Sequence, residues 1–339
     1  MYPELLRIPF TTLTIKSYGL MMVVGFLAAI FLIRRLSRNL GHSPDHIINA
    51  ALYSLIAGVF GARAFYVIHY FEQFHDNPLS IFAIWQGGLE LLGGVVLAIS
   101  VIVIYIFCRK LPIRRYLDIL AIALMSALAI GRIGCFLNGC CFGKPTKCPI
   151  AVRFPYASPP YYSQVFPDYG RNRSRPYLEL PNEYYGRCDG DDFIEADQAN
   201  KFHMRLKPPR LLSEQQRYEV TKGRYQCLPV HPTQIYSSVG GLVNCGLLYL
   251  FWRRSQRAEL PGAKKKMLAR PGCTFGLMLV LYGAMRFLME FMRDDNPFEA
   301  FNLTVSQFIS IALIIFGAVL MIILDRMSLE SRPEPAPVK

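Results

Sequence analysis

The chain has 339 residues, 53% hydrophobic and 18% charged, with a positive mean hydropathy. So little charge over such a length excludes an ordinary soluble domain and points to an integral membrane protein. The net charge of +13 does not argue for nucleic acid, because the basic residues sit beside apolar runs, where they act as topology signals.

Met1 to Phe10 lacks the basic n-region of a cleavable signal peptide. Seven apolar runs then approach the roughly 20 residues that a bilayer core needs. They fall at about 18–33, 46–70, 88–108, 116–137, 232–252, 272–292 and 304–324. Basic residues follow the first run (Arg34, Arg35, Arg38), the third (Arg109, Lys110, Arg114, Arg115) and the fifth (Arg253, Arg254, Arg257, then Lys264 to Arg270). The connections after the second and sixth runs carry Glu72 and Asp76, and Asp294 and Asp295. This alternation predicts an N-terminus outside and a C-terminus inside.

Residues 144–230 interrupt the pattern with a polar, turn-rich stretch that includes Ser158-Pro159-Pro160 and Lys207-Pro208-Pro209. Within it, Leu211 to Val220 is the one segment predicted to be helical. The predicted fold is therefore an all-α polytopic membrane protein, seven transmembrane helices with an extracytoplasmic head inserted between the fourth and fifth. Residues 1–143 hold helices one to four, 144–230 the head, 231–326 helices five to seven, and 327–339 a disordered cytoplasmic tail rich in Pro and Glu.

Nine cysteines are present. Cys108, Cys245 and Cys273 lie in or beside apolar runs and are expected to pack there. Cys135, Cys140, Cys141, Cys148, Cys188 and Cys227 fall in the region predicted outside the cytoplasm, where disulfides form; their connectivity stays open.

The fourth run ends in Gly131-Arg132-Ile133-Gly134-Cys135-Phe136-Leu137-Asn138-Gly139-Cys140-Cys141-Phe142-Gly143. An arginine at that depth costs roughly 2.5–3.5 kcal/mol on insertion scales, so it needs a partner or a task. The predicted topology gathers the other unusual polar residues at the same, outer side. Tyr18 opens the first span, Arg63 and His69 lie late in the second, and His231-Pro232-Thr233-Gln234-Ile235-Tyr236 opens the fifth. In the sixth, Tyr282, Arg286, Glu290 and Arg293 recur at helical spacing on one face. Arg63, Arg132, Arg286 and Arg293 offer planar donor forks suited to phosphate oxygens, and Glu290 neutralises one of them or forms a structural pair. His231 is either a general base or a helix-start residue before Pro232. Asn138, Gln234 and Tyr236 are neutral hydrogen-bonding groups fit for glycerol hydroxyls. Together these suggest an anionic phospholipid as ligand.

These motifs resemble the prolipoprotein diacylglyceryl transferase family. The signature is similar over Gly131 to Gly134, Phe136 to Gly139 and Gly143. Further matches are Tyr18-Gly19-Leu20-Met21, Gly61-Ala62-Arg63, the His231–Tyr236 motif, and Tyr282-Gly283 with Arg286-Phe287, Glu290 and Arg293. The resemblance implies transfer of diacylglyceryl from phosphatidylglycerol to the lipobox cysteine thiol of a preprolipoprotein, in the bacterial cytoplasmic (inner) membrane, with the site facing the extracytoplasmic side. It implies no metal and no cofactor.

Arg132, Arg286, His231 and Tyr18 are the catalytic candidates. Arg132, Asn138, Gly143, Arg63, Gln234, Tyr236, Tyr282, Glu290 and Arg293 are the substrate-binding ones. Three positions depart from the family pattern: Cys135 stands for its Asn, Cys140 for its Glu, and Leu92 for the His before the third-span Gly-Gly. Cys140 and Cys141 are expected to be structural, because the substrate supplies the reacting thiol.

Three rival readings compete with this one. An anion transporter predicts polar residues through the full depth of several spans, whereas the inner halves of spans one, three, five and seven are almost wholly apolar. A redox or metal protein built on Cys140, Cys141 and Cys148 lacks Cys-x-x-Cys spacing. A diverged relative with the same donor lipid and another acceptor remains the serious alternative.

Overall fold

The computed structural model describes residues 4–7, 14–38, 45–75, 78–83, 88, 90–109, 111–189, 192–195, 205–258, 268 and 270–327. The predicted tail after Met327, and several of the loop charges used for topology, lie outside them.

A short antiparallel pair, β1 (Glu4–Arg7) and β2 (Thr14–Lys16), leads directly into α1 (Ser17–Arg38). Then come α2 (Asp45–His69), α3 (Leu91–Arg109) and α4 (Ile113–Asn138). Beyond the 144–230 stretch lie α7 (Thr233–Ala258), α8 (Cys273–Glu290) and α9 (Val305–Arg326). Within that stretch are α5 (Pro159–Val165) and α6 (Glu214–Thr221). Each of the seven apolar runs is thus a helix. Six are long and apolar enough to cross a bilayer, and α3 contributes the shorter apolar stretch Gly93–Arg109. Several helices run past the predicted ends, through Arg34, Arg35 and Arg38 in α1 and Arg253, Arg254 and Arg257 in α7. Arginine is a good helix former, and its long stem lets the charge reach the interface from the last turn.

The helix α4 is the axis of the bundle. It packs on α1, α7 and α8, while α2 pairs with α3 and α8 with α9. Half of its apolar window is buried, against 17% for α1. Around its first half gather Ile33 and Leu36 of α1, Ile47 of α2, Leu248 and Trp252 of α7, and Met278 of α8. Outward faces carry large exposed apolar side chains such as Leu27, Phe60, Phe107 and Ile315. A water-facing surface rarely shows so many in a band; a lipid-facing one does.

Asp118, which interrupts the apolar run of α4, is 1% exposed. Its two carboxylate oxygens accept from the backbone N–H groups of Gly272 (2.8 Å) and Phe275 (2.9 Å). It caps the first turn of α8 from a neighbouring helix, satisfying donors that have no intrahelical partner.

Residues 144–230 form their own small core of Tyr161, Tyr184, Tyr185, Val165, Leu206 and neighbouring side chains. It is covered by a three-stranded sheet of order β4-β3-β5 (β3, Tyr185–Asp189; β4, Asp192–Glu195; β5, Arg205–Leu206). Tyr161 and Tyr185 suit this place because their hydroxyls find carbonyls: Tyr161 donates to Tyr225 O at 2.8 Å and Tyr185 to Val165 O at 3.2 Å. The predicted helix appears as α6, with a capping box between Ser213 and Gln216. Strands of two to five residues are too short to show a period, so the sequence did not reveal them. Asp294, just past α8, ties this unit to the bundle through Arg173 (3.1 Å) and Arg171 (3.5 Å). The eight cysteines whose side chains are described are free thiols.

Candidate functional site

The signature arginine sits one turn and a half before the end of α4. That end is set by Gly139, which takes a left-handed conformation (φ 76°). Its N–H and that of Cys140 fold back onto the carbonyls of Phe136 and Cys135, both at 3.2 Å. Cys140 is thereby laid over Cys135, and its thiol donates to the Cys135 carbonyl at 3.7 Å. Cys141 follows with a positive φ of 60°, uncommon for a non-glycine residue outside special turns.

Two side chains from the first turn of α7 lock this turn. Gln234 Nε2 donates to Cys140 O at 2.7 Å and Thr233 Oγ1 to Cys141 O at 2.6 Å. Gln234 is fully buried, and its Oε1 has no hydrogen-bond partner among the described residues. Gly143 completes the junction. Its N–H donates to His231 O at 3.1 Å, and it forms a β-bridge with Arg293. A Cβ on Gly143 would lie 2.6 Å from His231 O and 2.9 Å from Met292 O, so only glycine lets three chain segments cross here. At the other side of α4, a Cβ on Gly134 would meet the Tyr18 backbone at 3.3 Å. The start of α1, the end of α4, the start of α7 and the end of α8 therefore share one end of the bundle.

Arginines dominate this end. Arg286 is held by Glu290 Oε2 at 3.0 Å and donates to Ser306 Oγ of α9 at 2.8 Å. Arg293 makes a two-pronged contact with Asp295, at 2.8 and 2.7 Å. Glu290 is 2% exposed and also accepts from Asn296 Nδ2. Arg132 differs: half-buried, it has no hydrogen-bond or ion-pair partner among the described residues. The charges of Arg132 and Arg293 nevertheless both act on Arg286 and on Cys141. The three guanidiniums thus lie within one electrostatic neighbourhood, with Glu290 and Asp295 as the opposing carboxylates.

Cys135, Cys140 and Cys141 bring their sulfur atoms within 4.8 Å of one another. The Cys141 thiol is held below the ordinary thiol range by hydrogen bonds from Cys135 and Cys140, then by Arg293 and Arg132, with burial opposing the shift. Cys227, buried in the 144–230 unit, is pushed the other way by burial.

The profile of the prolipoprotein diacylglyceryl transferase family matches residues 3–323. The chain belongs to this family. Among its relatives, the phosphatidylglycerol–prolipoprotein diacylglyceryl transferase of Clostridium tetani is 29% identical over 310 residues, covering 90% of this chain and 91% of the relative. The enzymes of that name from Chloroflexus aggregans (27% identical, 96% of this chain and 90% of the relative) and Burkholderia lata (29%, 91% and 90%) are similar over comparable lengths.

Of the residues singled out in the sequence, Tyr18, Arg132, Asn138, Gly143, His231, Gln234, Arg286, Glu290 and Arg293 lie on the segments that converge at this end. Tyr236 stands beside His231, its hydroxyl 3.3 Å from Nδ1. Tyr282, one turn below Arg286, packs on the helical core and acts electrostatically on that arginine. Arg63 is engaged elsewhere. It donates to the carbonyls of Ser80 (2.7 Å), Ile81 (2.8 Å) and Gly88 (2.9 Å), holding the connection between α2 and α3. Sequence reading missed Ser306, Asp295 and Asn296, which orient the arginines and Glu290. An ordinary Ser in an apolar run and two loop residues give no signal before their partners are known. It also grouped Cys140 and Cys141 with Cys148, where the structure groups them with Cys135.

Proposed function

We propose that this chain transfers the diacylglyceryl group of phosphatidylglycerol to the lipobox cysteine thiol of preprolipoproteins, forming a thioether and releasing glycerol phosphate. Family membership supports the activity. The single observation that carries the site assignment is Arg132, a half-buried cation without a hydrogen-bonding partner among the described residues, set beside the partnered Arg286 and Arg293. A guanidinium in that position has its donor fork available for a phosphate.

In this reading the lipid phosphate sits between Arg132 and Arg286, which strengthen their hold as charge grows on the departing oxygen. Glu290 and Ser306 fix Arg286, so its contribution is preorganised. Asn138, Gln234 and the His231–Tyr236 pair serve the headgroup or the incoming thiol, with Tyr18 closing the site from α1. Arg63 acts by holding the α2–α3 connection. The acceptor thiol gives up its proton and its sulfur attacks the glyceryl carbon bonded to phosphate oxygen; the carbon–sulfur bond forms as the carbon–oxygen bond breaks, and its electron pair leaves with the phosphate.

The same reading sets seven spans in a bacterial cytoplasmic membrane, with residues 144–230 as an extracytoplasmic head. The test is transfer from labelled phosphatidylglycerol to lipobox peptides in vesicles containing the purified chain. Labelled peptide that vanishes when the lipobox Cys is replaced by Ser is the expected result. Lipid binding without transfer to any thiol peptide would instead make this a lipid-binding or transport protein.

A further inference from the structure

Among the described residues, the three-thiol cluster is a chemically equipped group that the phosphate reading leaves unused. It stands on the turn that closes α4, where the chain leaves the helix at Gly139. Three features make it a built site. The left-handed turn at Gly139 stacks Cys140 on Cys135, and Cys141 is held at positive φ. Gln234 and Thr233 fix the carbonyls of Cys140 and Cys141 at 2.7 and 2.6 Å. Cys135 is buried, whereas Cys140 and Cys141 remain partly accessible. An outer shell that immobilises the ligand backbone is what precise ligation requires.

We propose that Cys135, Cys140 and Cys141 bind a thiophilic divalent cation of the zinc class, leaving its fourth position open for the acceptor thiol. With zinc–sulfur bonds of about 2.3 Å, tetrahedral geometry sets sulfur atoms roughly 3.8 Å apart. The observed separations, up to 4.8 Å, reach that by small side-chain rotations. Among the described residues no fourth Cys, His, Asp or Glu joins the group, and three protein ligands with an open position is the reactive rather than the structural arrangement. A divalent ion on three thiolates carries a net negative charge, which the neighbouring Arg132 and Arg293 offset.

This inference rests on the proposed transfer, since that reaction needs a thiolate. At the open position the acceptor thiol releases its proton to solvent and stays bound as thiolate. Its sulfur then forms the bond to the glyceryl carbon, the carbon–oxygen bond breaks, and glycerol phosphate leaves with the electron pair. Nothing is oxidised or reduced.

The experiment begins with full-length protein purified under reducing conditions and loaded with zinc or cobalt. About one ion per chain, with a thiolate-to-cobalt charge-transfer absorption, is expected. That absorption should disappear in each of Cys135→Ser, Cys140→Ser and Cys141→Ser and persist in Cys148→Ser. Phosphatidylglycerol binding, measured on the same preparations, checks that the variants are folded. Metal content equal to that of the serine variants, or recovery of two of the three cysteines as a disulfide, would overturn the site. Removing the metal should slow transfer on the order of 10²-fold, the lower range for deprotonating a reacting group, with recovery on zinc addition. Unchanged transfer by metal-free protein would overturn the thiol-holding role. A metal-loaded protein that transfers nothing to any thiol would sink the transferase reading while the metal site stood.

Discussion

At the scale of single residues, the electrostatics of the site turn on what each arginine is bonded to. Arg63 holds three backbone carbonyls, Arg293 is clamped by Asp295, and Arg286 is oriented by Glu290 and Ser306. Arg132 is the one of the four with its donors uncommitted among the described residues. Replacing Arg132 with Lys keeps the charge and removes the two-pronged geometry, so transfer should fall by about 10²–10³. Arg286→Lys should fall comparably, because an ammonium cannot serve both Glu290 and a phosphate from one fixed plane. Initial rates with labelled phosphatidylglycerol at equal protein levels check both; near-normal rates in the two Lys variants would remove the phosphate clamp. Arg63→Lys makes a contrasting case. It should lower stability more than it alters turnover per folded molecule, since its contacts are to the α2–α3 connection.

At the scale of elements, two junctions carry the architecture. Gly143 lets the chain after α4 pass between His231 and Met292, so Gly143→Ala drives a Cβ into backbone atoms of two other segments. Overpacking of this kind costs about 1–3 kcal/mol. Because it spreads the walls of the site, transfer should decline even in molecules that remain folded. Thermal unfolding in detergent together with activity per folded molecule separates the two effects. Asp118 is the second junction. Asp118→Ala strands two buried N–H donors at the start of α8, each costing about 1–3 kcal/mol, so the midpoint of unfolding should drop clearly.

These junctions also mark what the sequence could not disclose. Apolar runs and their basic flanks made the helices legible to within a few residues, because bilayer-length periodic burial leaves its mark on every position. The Arg132 and Arg286 motifs were legible because charge in an apolar run is rare. Asp118 read only as an interruption, and Cys135 only as a departure from a pattern. Their roles depend on partners 154 residues away in one case and on a left-handed turn in the other.

At the scale of the whole molecule, the question is which way the converging helix ends face. The aromatic core of the 144–230 unit, the Asp294 contacts with Arg171 and Arg173, and the cysteine turn all lie at the end where α4 and α8 finish and α7 begins. The opposite end carries Arg34, Arg35 and Arg38, Arg114 and Arg115, and Arg253, Arg254 and Arg257, around the apolar cluster of Ile33, Ile119 and Trp252. Clusters of short-loop arginines stay in the cytoplasm, so the site should open to the extracytoplasmic side, where an acceptor's cysteine emerges after export. A reporter active only in the cytoplasm should work when fused after Leu324 and fail when inserted within 160–220. A reporter active only after export should do the reverse. A chain whose 160–220 fusions were active in the cytoplasm would have its arginines facing the inner leaflet. The exported lipobox cysteine could not reach them there, and transfer to exported acceptors would have to be abandoned along with the topology.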